Sequence, residues 1–152
     1  MKIQKAREKD ASRIRNLKDK SLKKIVSKNY TKKQIEILIE KNSKKRIEDK
    51  TMFLLTKNKR LIGIVHIDLK EKIVGSLYIN PKYIKKGLGK KLLVHAEKYA
   101  KKNKIKKIKL YSTKTALNFY KNQNYKIIGR KIWTPKKGVS FPIIIMEKEI
   151  TK

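Results

Sequence analysis

The apolar stretch Ile73–Ile79 breaks at Asn80-Pro81 into Lys82-Tyr83-Ile84-Lys85-Lys86-Gly87-Leu88-Gly89-Lys90. An apolar pattern of helical period follows, with Leu88, Leu92, Leu93, Ala96 and Tyr99 on one face. This order predicts a strand feeding a glycine loop at the start of a helix. Such a loop can hold phosphate, because first-turn N–H groups lack intrahelical acceptors and the helix dipole adds partial positive charge. Gly87 and Gly89 carry no Cβ, so an anion can approach the backbone. Lys85, Lys86, Lys90 and Lys91 add cations around it. The plainer alternative is a tight turn whose glycines serve geometry alone.

Two common phosphate loops do not fit. A Walker A loop needs Ser or Thr after its lysine, where this chain has Lys91 after Lys90. A dinucleotide fingerprint needs a third glycine where Leu92 stands.

With 152 residues and no Pro/Gly/Ser-rich linker, the chain fits one domain spanning 1–152. Charge or proline interrupts every apolar run before membrane-spanning length, and no hydrophobic signal region follows Met1-Lys2. The expectation is a cytoplasmic protein. The lack of cysteine excludes disulfides, thiolate catalysis and Cys-ligated metal, and His66 and His95 have no i, i+4 partner, so no metal is expected.

The net charge is +32, from 44 basic residues against 12 acidic ones. Such a field attracts polyanions and repels cationic substrates. Only Arg7, Arg13, Arg15, Arg46, Arg60 and Arg130 are arginines, the side chain suited to specific base and phosphate contacts. The lysines are spread along the whole chain. The two readings on these grounds are compositional drift with a solvated surface and a functional basic face for RNA, DNA or an acidic protein.

The remaining pattern alternates helix and strand signals. Lys2–Ala6 reads as a strand, and Asp10 is placed to cap a helix carrying Ile14, Leu17, Leu22, Ile25 and Val26. Thr31 and Gln34 form a capping box, with Tyr30 positioned to staple onto Ile35. Ile35, Leu38 and Ile39 share a face of that second helix. Thr51–Thr56 and Leu61–Leu69 read as a hairpin joined at Lys57–Arg60, and Ile73–Ile79 as a third strand. The glycine-loop helix is expected to fray near Lys101–Asn103. Ile105–Tyr111 is another strand, and Ser112 or Thr113 is placed to cap a short helix ending at Asn122. Tyr125–Trp133 and Val139–Lys148 close the chain as a hairpin across Thr134–Gly138. The order β α α β β β α β α β β predicts a mixed α/β fold: a largely antiparallel sheet of about seven strands flanked by about four helices.

The short helix holds Thr115-Ala116-Leu117-Asn118-Phe119-Tyr120-Lys121-Asn122-Gln123-Asn124-Tyr125. Together with the strand and glycine loop, this resembles the GNAT superfamily of acetyl-CoA-dependent N-acetyltransferases. The likeness extends over almost the whole chain and is best from Leu77 to Tyr125. The tail Lys137-Gly138-Val139-Ser140 … Met146-Glu147-Lys148-Glu149 looks like that of small prokaryotic members. Three positions depart from the family pattern. Ile84 stands where the loop usually has Gln or Arg, Thr113 where Asn is frequent, and Asn124-Tyr125 where Gly-Phe is usual.

The resemblance implies roles residue by residue. Backbone groups of Leu77, Tyr78 and Ile79 would pair with the pantetheine arm of acetyl-CoA. The N–H groups of Lys85, Lys86, Gly87, Leu88, Gly89 and Lys90 would hold its pyrophosphate, with Thr113 and Asn118 as further contacts. Tyr120 would protonate the departing thiolate, since a phenol (about 10) titrates above a thiol (about 8.5). A neutral amine would attack the thioester directly, with a main-chain N–H near Ile79 polarising the carbonyl. His66 is the first candidate for the base, ahead of Asp68 and Glu71, against the plainer reading of a packed strand histidine. His95 reads as packing. Trp133, Phe141 and Pro142 could line the acceptor pocket or a homodimer interface, core packing being the simpler role. The implied activity is acetyl transfer to a primary amine of a protein N-terminus, lysine or small molecule. The alternative is a basic nucleic-acid- or ribosome-associated protein with vestigial coenzyme binding, on this scaffold.

Overall fold

A computed structural model describes residues 1–24, 26–43 and 51–151. The strands are β1 (Lys2–Lys5), β2 (Thr51–Lys57), β3 (Arg60–Asp68), β4 (Ile73–Ile79), β5 (Lys107–Ser112), β6 (Lys126–Lys136) and β7 (Val139–Glu149). The helices are α1 (Ala11–Lys24), α2 (Lys32–Ser43), α3 (Leu88–Lys102) and α4 (Leu117–Asn122). Short 3-10 turns cover Glu8–Asp10, Val26–Asn29 and Pro81–Tyr83. Chain order and fold class match the expectation.

The sheet runs β1-β2-β3-β4-β5-β7-β6, antiparallel except between β4 and β5. Both faces are covered, and β2 shows why. Its alternate residues Phe53 and Leu55 pack with Leu92, Leu93 and Ala96 of α3, while Met52 and Leu54 pack with Ile14 and Leu17 of α1. A strand apolar throughout its centre, as here from Met52 to Leu55, needs partners on both sides. Asn58 and Lys59 both take positive φ (51° and 64°), giving the two-residue turn that matches the twist of the β2–β3 hairpin.

Several local expectations change. Asp10 does not cap α1: its carboxylate turns back to the Arg7 N–H (2.8 Å) and pairs with Arg13 (2.9 Å), closing the 3-10 turn before the helix. The Thr31/Gln34 capping box forms in both directions (2.8 and 3.2 Å), and Tyr30 packs into the cluster of Ile35. α2 also buries Ile37 against Val139 and Phe141 of β7, so two of its faces are apolar. Ile25 lies outside the described residues. α3 ends in a Schellman motif, with Lys104 at φ 66° and the Ile105 N–H on the Ala100 carbonyl (3.1 Å). Ile105 is spent on that motif, so β5 starts later than expected, at Lys107. Neither Ser112 nor Thr113 caps α4, because the Ser112 hydroxyl donates to the Thr113 carbonyl and Ala116 occupies the cap position. The last hairpin turns at Lys137-Gly138, with Gly138 at φ 81°, so Thr134–Lys136 belong to β6.

Candidate active site

β4 and β5 meet only at Ile73 and Lys109, where the Lys109 N–H also reaches the Lys72 carbonyl (2.9 Å). Beyond that point the two strands part. A cleft of about 620 Å³ opens between them, with Gly75–Ile79 on one side and Tyr111 and Thr113 on the other. β4 is bulged inside it. Pairing with β3 slips between Tyr78 and Gly75, and Ser76 takes φ 45°. A bulge leaves an extra residue out of the ladder and re-aims its neighbours, here toward the cleft. The Gly75-Ser76 pair is the only sequence sign of it. A Cβ on Gly75 would lie 2.8 Å from the His66 ring, so glycine is what lets β3 and β4 pack there.

The glycine loop closes one end. Asn80 accepts from the Lys82 N–H (3.0 Å) and its own N–H holds the Ile62 carbonyl (2.7 Å), anchoring the exit from β4. Lys85 and Gly87 both take left-handed φ (61° and 75°), which turns the chain into α3. The first helical bond runs from the Lys91 N–H to the Gly87 carbonyl (3.1 Å), and no side chain caps Gly87. The amides of Leu88, Gly89 and Lys90 therefore lack helical acceptors and face an open cradle. Around Gly87 an added Cβ would meet nothing within 4 Å.

Tyr120 stands in the wall, 8% exposed, with ring contacts to Phe119 (5.2 Å) and Tyr125 (5.8 Å). Burial pushes its phenol well above the ordinary range, and nearby Tyr78 adds to the shift. The proton is held across neutral pH. Behind it the Tyr125 hydroxyl donates to Glu97 (2.7 Å), and Lys148 donates to the same carboxylate (3.0 and 3.1 Å). Burial and then Glu97 drive the Tyr125 phenol upward as well.

Of the expected site residues, Leu77, Tyr78, Ile79, Lys85, Gly87, Leu88, Gly89, Lys90, Thr113 and Tyr120 line one cleft. Lys86 does not; its ammonium lies over the Tyr83 ring, 5.7 Å from the centroid. Asn118 is exposed on α4, away from the lining. His66 is buried on β3 behind Gly75 and is not part of the wall. Asp68 accepts the Glu71 N–H (3.0 Å) in the β3–β4 turn, at the end of β4 away from the cleft. His95 packs edge-on against Phe53 (4.5 Å), and burial followed by Lys98 lowers its pKa. The far wall holds residues the motifs did not flag, among them Leu22, Val26 and Leu38 from the α1–α2 region. Their apolar helical spacing reads as core, and only the parting of β4 and β5 turns them into lining. Asn29 donates to Thr115 (2.8 Å), tying the α1–α2 connection to the β5–α4 loop at the cleft's edge.

A sequence model of the acetyltransferase (GNAT) domain matches residues 16–149. The chain belongs to the GNAT acetyltransferase family. A GCN5-related N-acetyltransferase of Rhodopseudomonas palustris superposes with TM-score 0.90 at 16% identity, covering 97% of this chain and 94% of the other. The PaiA N-acetyltransferase of Thermoplasma acidophilum, solved with coenzyme A, gives TM-score 0.74 at 27% identity, covering 97% and 98%. YncA of Salmonella typhimurium, solved with acetyl-CoA, gives 0.67 at 14%, covering 100% and 95%. No curated protein matches the sequence. The seven-stranded, mostly antiparallel sheet with its four helices is thus the fold of a GNAT N-acetyltransferase. Among the described residues no helix is long and apolar enough to cross a membrane.

Proposed function

We propose that this N-acetyltransferase takes acetyl-CoA as donor and transfers the acetyl group directly to a primary amine. The observation that carries this reading is one cleft joining three things: the bulged edge of β4, the uncapped start of α3 and the buried Tyr120 phenol. The coenzyme complexes of the Thermoplasma and Salmonella proteins add support.

The residues present fit such a donor. The cradle at Gly87–Lys90 suits a diphosphate, with Lys85 and Lys90 as mobile cations at its rim. The open edge at Leu77, Tyr78 and Ile79 suits an amide-bearing arm, which pairs as an added strand would. Thr113, on the opposite wall of the cleft, would face that arm. Acetyl-CoA, when bound, supplies an activated acyl carbon with a thiolate leaving group.

The chain then has two tasks at the reacting end. A main-chain N–H near Ile79 polarises the acyl oxygen. Tyr120 holds a proton at Oη for the sulfur. With acetyl-CoA bound, the amine nitrogen would bond to the acyl carbon as the C–S bond breaks, and that proton would neutralise the thiolate. The amine's surplus proton would leave to solvent, and the Tyr120 oxygen would regain a proton from solvent. His66 stands one layer behind Gly75, so a proton from the cleft would reach it only through an intervening water. That makes it a relay member rather than a base in contact.

Thermal shift with coenzyme A and acetyl-CoA tests the donor half, since a ligand confined to the folded state raises the melting point. A rise of several degrees at millimolar ligand, with acetylated amine and free thiol in equal amounts, is the expected result. No shift with either ligand contradicts it.

A further inference from the structure

The cleft has an acceptor side, and its chemistry is unusual for a site that receives an amine. If the β4 edge and the α3 loop hold the donor, as proposed above, the acceptor enters toward Leu22, Val26, Leu38 and Tyr111. Among the described residues no Asp or Glu side chain lines the cleft. Nothing there balances an ammonium.

At the rim the charge is positive. Tyr111, 44% exposed, forms part of the cleft wall and carries the Lys131 ammonium 4.3 Å from its ring centroid. Strand register builds this pair. Tyr111 lies opposite Ile145, which lies opposite Gly129, and Lys131 lies opposite Ile143. Gly129 offers no side chain, so Lys131, the next residue on the same face of β6, reaches over toward β5. The half-buried Ile143 and Ile145 continue the apolar floor between them. The net charge of +32 acts in the same direction at longer range.

We propose that the acceptor is a primary amine joined through an apolar segment to a carboxylate, with the carboxylate held by Lys131 beside Tyr111. A polyamine meets the opposite condition. Its second ammonium finds no acid in the wall and is repelled at the rim, and specificity then follows from the repulsion as much as from the attraction.

The test uses three acceptors that differ only at the far end: 6-aminohexanoate, 6-aminohexanamide and 1,6-diaminohexane. Acetylation with acetyl-CoA is followed by free thiol and product mass for wild type, Lys131→Glu, Lys131→Gln and Lys102→Glu. Lys102 is exposed at the end of α3, so its variant makes the same charge change away from the rim. Calorimetric titration with coenzyme A is run on each protein. Wild type is expected to favour the carboxylate over the diamine by at least about tenfold in kcat/KM. Lys131→Gln should shrink that ratio about threefold, the size of one partly exposed charge pair, Lys131→Glu about tenfold, because reversal also adds the opposite interaction, and Lys102→Glu hardly at all. Failure to bind coenzyme A removes the donor reading, and this inference with it. With coenzyme A bound, four results overturn the inference alone: a diamine used as well as the carboxylate, a ratio unmoved by Lys131→Glu, an equal change from Lys102→Glu, or no acceptor acetylated.

Discussion

Tyr120 and Tyr125 are adjacent buried phenols with different neighbours, and the difference separates chemistry from support. Tyr120 faces the cleft; Tyr125 faces Glu97 and Lys148. Tyr120→Phe keeps the ring contacts and removes the proton. It should lower kcat by about 10²-fold, the usual worth of one positioned acid, with coenzyme A affinity unchanged by calorimetry. Equal turnover would end the acid role. Tyr125→Phe should leave the donor affinity alone and cost about 1.5 kcal/mol in urea unfolding, the loss of a hydrogen bond to a partly buried carboxylate. Its folded pKa lies above the unfolded value of about 10, so the folded state favours the protonated phenol. That contribution is fully present below about pH 10 and is lost as pH rises through the folded value. Wild type should therefore lose stability above pH 10 more steeply than Tyr125→Phe does. Asp10 works in the opposite sense. Burial alone would raise its pKa, but the Arg7 N–H and Arg13 outweigh it and hold the carboxyl low, so its contribution fades as pH falls through that low value.

At the scale of elements, the loop into α3 and the bulge in β4 do most to shape the site, and they differ in how they are written. The loop was legible because glycine, proline and helical period mark it in consecutive residues. Its left-handed residue Lys85 was not, since nothing about lysine signals a positive φ. The bulge depends on how β3 and β4 register, a non-local fact that Gly75-Ser76 alone cannot convey. The same holds for the far wall of Leu22, Val26 and Leu38, whose exposure to the cleft follows from the parting of two strands distant in sequence. His66 shows the same limit: an imidazole marks a candidate base in the sequence, and only strand pairing sets its ring behind Gly75, where a relay role is the one proposed above. Gly87→Ala tests the loop directly. Placing a Cβ on a left-handed residue costs about 1 kcal/mol of stability, measurable by urea unfolding. With open space around it, the methyl group intrudes on the cradle, and coenzyme A should bind about tenfold more weakly.

For the whole molecule, the dominant property is charge. A net +32 spread over the chain sets a long-range field that attracts polyanions. The edge strand β6 displays Lys126, Arg130, Lys131 and Lys136 beside exposed Ile128 and Ile132, and such charges discourage edge-to-edge pairing. Association with oligonucleotides should be independent of sequence and fall by at least about 10³-fold between 50 and 200 mM salt, as counterion release dictates for several phosphate contacts. A sequence preference that survives high salt would point to a dedicated nucleic-acid role. The fold itself was readable because apolar period and turn chemistry agree along the chain. The acceptor was not, because its side of the cleft is assembled from core-like residues.

In the function proposed above, the gap between β4 and β5 receives acetyl-CoA with its diphosphate on the α3 amides and its sulfur at Tyr120. A crystal structure of the protein with acetyl-CoA measures this directly. The expected result is the pantetheine arm along Leu77–Ile79, phosphate oxygens within hydrogen-bond distance of the Leu88–Lys90 amides, and the Tyr120 hydroxyl beside the sulfur. Ligand bound elsewhere on the surface, with the gap between the strands empty, would contradict it.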